Sequence, residues 1–277
     1  MSQLKQQAEQ RYKMDANCPY HEAKCNMEDC ECAKYKAYKK INEPGVIEET
    51  LKEIGFNVKD ENWNSWDLLM GMQKNFASKF HKVDNFSVDE IDHWVDKYLV
   101  CIEDEIREVR EHIDIVHNKK KENLKELQKE IIDILHFLMD LYIVGEATSS
   151  DIKRAYLDLY ASEVKDIDDL IKFAWNNQEF ELKHKLHYDY KDNFDLAMLD
   201  LSSTLLDYNG LVRQHISWKH WKQPSDEIDK KSLYKAFAKT FKSLIDLFLL
   251  VLDSPDEIKD IYVTKNIENI WRQKFDY

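Results

Sequence analysis

Residues 124–144 read LKELQKEIIDILHFLMDLYIV, and from Ile131 to Val144 only Asp133, His136 and Asp140 interrupt an otherwise apolar run. A stretch this long with apolar residues at every angle is a helix buried on all sides. It is too short and too interrupted to cross a bilayer. Glu130 and Asp133 stand three residues apart, so both carboxylates share one face of that helix. A buried carboxylate needs a cation, a set of hydrogen bonds or a proton to offset its lost hydration. Whatever compensates this pair decides what the chain does.

Working outward, the composition suits long helices. The 277 residues include 5 Gly and 4 Pro against 34% charged residues, too little turn punctuation for a many-stranded fold. No G-x-G-x-x-G, GK[ST] or G-x-S-x-G pattern occurs, which disfavours P-loop, dinucleotide-binding and nucleophile-elbow chemistry. A net charge of −13 with no long basic stretch argues against nucleic acid or an anionic membrane as the main partner. The polar start MSQLKQQAEQRYK has no signal-peptide pattern, so the expectation is a cytoplasmic protein.

The periodicity predicts an all-α chain. Helices are expected at about 63–81, 87–117, 122–145, 193–215 and 229–252, with two or three shorter, more polar ones in 150–190. Ser87 to Glu90 and Ser254 to Glu257 read as capping boxes, the second with Pro255 in the first turn. Pro44-Gly45 closes an N-terminal segment of different character, so residues 1–45 are read as an extension and 46–277 as the helical domain, with a helical insertion at about 150–190. A faint internal echo links LKELQKEIIDILHFLMDLYIV with FAKTFKSLIDLFLLVLD, where Ser243 replaces Glu130 and Asp246 matches Asp133.

A second acidic pair lies in CIEDEIREVREHI. Glu105 and Glu108 are about 60° apart around their helix and can aim at one point; Glu108 with Glu111 is the competing choice. If this helix packs antiparallel on 122–145, four carboxylates converge and raise one another's pKa. All-oxygen ligation by Glu105, Glu108, Glu130 and Asp133 selects Mg²⁺, or Mn²⁺ as substitute, over softer metals. With 53 acids in the chain, most acid-x-x-acid pairs are solvated helix faces. Placement of the second pair inside an apolar helix is what sets it apart.

These residues resemble a family. Glu105-Ile-Arg-Glu108 followed by Glu130-Ile-Ile-Asp133-Ile-Leu-His136-Phe137 is similar to the signature of the all-α, dimeric-type dUTPases, which share a four-helix core with MazG-like nucleotide pyrophosphohydrolases. Tyr98 supplies the aromatic seven residues before Glu105, and Met72-Gln73-Lys-Asn-Phe76-Ala77 occupies the preceding motif. The C-terminal stretch from Tyr262 through Lys265, Asn266, Asn269, Arg272 and Gln273 to Tyr277 resembles the family's Y-x-x-K-[NH]-x-L-N-x-x-R-Q-x-x-G-Y. The resemblance implies Mg²⁺-dependent hydrolysis of dUTP to dUMP and pyrophosphate by a homodimer. It casts the four acids as metal ligands and Glu105 as the residue that activates water. Gln73 would contact the base; Lys265, Asn269, Arg272 and Tyr277 would hold phosphates and sugar. By position alone, His136, one turn from Asp133, reads as orienting that carboxylate, as touching substrate, or as a buried histidine satisfied by hydrogen bonds.

Departures keep other readings open. Ala77 stands where the family has Asn, and Asp276 where it has Gly. The W-K-x-W-K stretch appears late, as Trp218-Lys-His-Trp221-Lys, and reads as a phosphate or base contact or as an anchored helix end. The alternatives are a dCTP-directed or broad-specificity pyrophosphohydrolase, or a catalytically degenerate helical interaction protein. Outside the resemblance, Cys18, His21, Cys25, Cys30 and Cys32 offer five soft ligands in fifteen residues. Any four suit a structural Zn²⁺, and disulfides are the rival reading.

Overall fold

The computed structural model describes residues 33–55, 66–81, 88–119, 124–145, 147–160, 175–176, 190–215 and 229–275. The cysteine cluster at 18–32, Ser87, most of the 150–190 insertion, Trp218, Trp221 and Tyr277 lie outside the described residues.

The apolar run of 124–144 forms one helix, α5 (Leu124–Val144), preceded by the long α4 (Val88–Lys119). Before them come α1 (Ala33–Ile41), α2 (Val46–Glu53) and α3 (Trp66–Phe76), the last continuing as a π-helical turn over Ala77–His81. After them come α6 (Ser149–Tyr160), α7 (Tyr190–His215), α8 (Lys230–Val251) and α9 (Pro255–Lys274). No strand occurs among the described residues, and the fold is all-α. No helix among them is long and apolar enough to cross a membrane.

The helix ends follow their capping chemistry, with one shift. Asp229 caps α8, its carboxylate accepting from Ser232 N at 3.1 Å. Thr148 and Asp151 form a reciprocal box before α6, each side chain bonded to the other's backbone N–H at 3.2 Å. The expected box at α9 is displaced by one residue. Ser254 makes no side-chain cap, and Glu257 reaches back to Asp253 N at 3.1 Å. Pro255 opens that helix as expected, because its missing N–H is one the first turn does not use.

Two intimate helix pairs, α4 with α5 and α7 with α8, make up most of the body. α5 is the central element, packing also on α8, α9 and α3, which explains the apolar residues around its whole circumference. Its one phenol is satisfied by backbone: Tyr142 donates to Phe237 O at 3.0 Å while its ring meets Phe237 edge-on at 4.2 Å. α9 lies across this core and is tied to the N-terminal helices. Trp271 Nε1 donates to Thr50 Oγ1 at 3.0 Å, Lys274 pairs with Glu53 at 2.6 Å, and α1 packs along α9. α1 belongs to the N-terminal side of Pro44-Gly45, yet it is seated on the helical body.

Candidate metal centre

The packing of α4 on α5 sets acids from both helices against one another. Glu105, Glu130 and Asp133 each offer an oxygen, and these atoms lie within 4.8 Å of one another. Glu108, one turn along α4, is close enough to raise the pKa of both Glu105 and Glu130. Glu108 and Glu111 both pair with Arg107, at 3.2 and 2.6 Å, and the converging oxygens on α4 are those of Glu105. The internal echo carries no such group. On α8, Ser243 donates to Asp200 of α7 at 2.8 Å, and Asp246 is paired with Lys242 at 3.1 Å.

Compensation inside the cluster is uneven. Lys265, projecting from α9, places Nζ 2.7 Å from Asp133 Oδ2, and His136 Nδ1 lies 3.5 Å from Asp133 Oδ1. Burial favours the neutral acid, but the Lys265 ammonium and the histidine outweigh it and hold Asp133 well below its usual range. Lys265 is shifted upward: burial opposes its charge, and Asp133 with Glu268 overrides burial. Glu105 has no such partner. Burial first, then Asp133, Glu130 and Glu108, pushes its carboxyl up to about 9. Glu130 is raised as well, by burial partly offset by Lys265.

The chain's own cation therefore pairs directly with one acid of the cluster and offsets the other two only in part. Glu105 Oε2 is buried with no hydrogen-bond partner. An orphaned oxygen beside two further carboxylates, with no nitrogen or sulfur among the donors, fits a hard divalent cation.

Behind the acids runs a closed polar network. Gln73, only 2% exposed, accepts from Tyr262 Oη at 2.8 Å and Asn266 Nδ2 at 3.2 Å, and its amide nitrogen donates to Asp140 Oδ1 at 2.9 Å. Both ends of the Gln73 amide are thus engaged inside the protein. Tyr262 in turn stacks on His136, ring centroids 4.2 Å apart, and the polar approach of that ring to Asp133 is the 3.5 Å one from Nδ1. Burial lowers the His136 pKa and keeps the ring neutral.

Further along α9, Lys265, Glu268, Asn269 and Arg272 recur at helical spacing. Arg272 pairs with Glu268 at 2.7 Å and reaches Asn269 Oδ1 at 3.4 Å. The sequence reading missed Glu268, Asn266 and Asp140 as parts of this assembly. The signals were present: Glu268 stands four residues before Arg272, and Asp140 is a polar interruption in the apolar run.

Asp140 gives a pH test independent of the metal group. Burial pushes its carboxyl up to about 8 although Gln73 donates to it. The native chain then holds a proton there that the unfolded chain has released, so stability falls as pH rises between the ordinary carboxylate range and about 8. Urea midpoints should drop more from about pH 5 to about pH 8 in the wild type than in Asp140→Asn, which keeps an acceptor for Gln73 without the charge. Equal drops would remove Asp140 as the source.

The model of the dUTPase family matches residues 65–277, which takes in α3 to α9 and every residue of the acid cluster. The chain belongs to the dUTPase family. No curated protein and no solved structure matches it. Membership in the dUTPase family implies a hydrolase acting on a nucleotide, and the acids at the α4–α5 contact are where such chemistry is to be sought.

Proposed function

We propose that the chain hydrolyses dUTP to dUMP and pyrophosphate, with Mg²⁺ held by Glu105, Glu108, Glu130 and Asp133. The observation that carries this reading is the convergence of Glu105, Glu130 and Asp133 inside a chain of the dUTPase family. When bound, such an ion supplies positive charge for the phosphate oxygens and lowers the pKa of water. Glu105 is the residue for water activation: its raised pKa and unpartnered Oε2 suit a carboxylate that holds water and accepts its proton. Lys265 and Arg272 bind phosphate oxygens, Arg272 through its planar fork. Asn269 and Tyr277 hold sugar and phosphate. His136 sits against Asp133 and Tyr262, where it sets the position of the Asp133 carboxylate.

Base preference is a separate matter. Gln73 is enclosed, with its amide spent on Tyr262, Asn266 and Asp140, and Ala77 is buried without an amide. Contact between Gln73 and a base would require exchange of those bonds. This arrangement favours, as second reading, a pyrophosphohydrolase that accepts dCTP or several nucleotides. A panel of deoxynucleoside triphosphates with Mg²⁺, scored by pyrophosphate release, separates the cases. Release from dUTP alone supports the first reading and release from several the second. Release from none favours a helical interaction protein on this scaffold.

The remaining expectations enter as part of the proposal. The chain is a cytoplasmic homodimer, with residues 1–45 forming a Zn²⁺-binding extension on the nucleotide-hydrolysing domain 46–277. Zinc content per chain and light scattering check these two points.

A further inference from the structure

Both cations read as phosphate ligands already hold carboxylates, and the two carboxylates differ in kind. Lys265 is held by Asp133, a member of the acid cluster, at 2.7 Å. Arg272 is held by Glu268, which lies outside that cluster, at 2.7 Å. The Arg272 and Glu268 side chains are 13% and 10% exposed, so this ion pair is largely withdrawn from water. Along the site the charges alternate as Asp133, Lys265, Glu268 and Arg272, and both Asp133 and Glu268 stabilise the Lys265 ammonium. A guanidinium presented to a phosphate needs no carboxylate of its own, and an enclosed one beside it weakens anion binding.

We infer that Glu268 is an internal counter-ion occupying Arg272 in place of a substrate phosphate, so that the clamp engages a triphosphate only by exchanging one anion for another. The inference rests on the reading of Arg272 as a phosphate ligand. Both residues sit on α9 four positions apart, so the exchange is a side-chain event on one helix face. It also has a consequence for selectivity. A single phosphate that replaces one carboxylate gains little. A triphosphate that meets Lys265, Arg272 and a cation held by the acid cluster gains at several points. Glu268 would thus widen the gap between triphosphate and monophosphate and help the product leave.

Calorimetric titration of inorganic triphosphate, with Mg²⁺ in excess, tests this on the full chain. Glu268→Gln should bind on the order of tenfold more tightly than wild type, the scale of one charge-assisted hydrogen bond released for use. Arg272→Gln should bind more weakly, and Glu103→Gln, which removes an exposed acid, should leave affinity unchanged. Glu268→Asp draws the carboxylate back by one methylene and should fall between wild type and Gln; it carries the comparison if the Gln variant does not fold. Unchanged or weaker binding by the Glu268 variants, with weaker binding by Arg272→Gln, overturns the counter-ion and leaves the clamp standing. Equal tightening in Glu103→Gln overturns it too, since net charge would then explain the effect. Wild-type affinity in Arg272→Gln removes the clamp itself.

Discussion

Replacement of Glu130 by Gln is expected to lower nucleotide turnover by on the order of a thousandfold or more while leaving the fold intact. The substitution keeps the shape of the side chain and removes one charged oxygen donor from the group formed with Glu105 and Asp133. A hard divalent cation depends on that charge, because a neutral amide oxygen does not offset its lost hydration as a carboxylate does. Stability should move the other way. Burial and the neighbouring acids raise the Glu130 pKa, so in the metal-free protein its ionised form costs stability. The metal-free variant should unfold at the same temperature as wild type in acid and at a higher one at alkaline pH. Mg²⁺ should raise the melting temperature of the wild type and not that of the variant. Near-normal turnover, or an undiminished Mg²⁺ shift, would show that this acid pair does not hold the ion.

How much of this was legible in the sequence depends on the range of the interaction concerned. Helix positions follow from local pattern, so α5 fell within the run that announced it, and α7 and α8 within a few residues of their expected limits. Caps are equally local, and the one-residue shift at α9 consists of Glu257 accepting from Asp253 N while Ser254 makes no side-chain cap. The convergence of Glu105 with Glu130 and Asp133 could be anticipated because α4 and α5 are consecutive in the chain. The partners of those acids could not. Lys265 and Gln73 come from elements far away in sequence, and only the packed bundle sets Lys265 on Asp133 or closes Gln73 between Asp140 and Tyr262. The sequence posed the question of what compensates the buried pair. Lys265 answers it by a direct pair for Asp133 and only in part for Glu130, and Glu105 is left with an unpartnered oxygen.

That division of labour makes Lys265 the second large lever. Lys265→Met keeps the length of the side chain and its apolar stem but removes the ammonium that pairs with Asp133. Breaking a buried pair from one side costs about 3–5 kcal/mol, since the remaining charge keeps its burial and loses its partner. The pH dependence identifies the cause. The folded-state pKa of Asp133 lies below its unfolded value, so the pair contributes stability above the ordinary carboxylate range and loses it as pH falls. The deficit of the variant should therefore be full near neutrality and shrink below about pH 4, where wild type forfeits the same contribution. Urea unfolding of the two proteins across that range measures it directly. Excess Mg²⁺ should recover part of the deficit at neutral pH, because a cation bound by Glu105, Glu130 and Asp133 takes over the compensation that the ammonium gave. A deficit that does not vary with pH would point to lost packing of the Lys265 stem rather than to its charge.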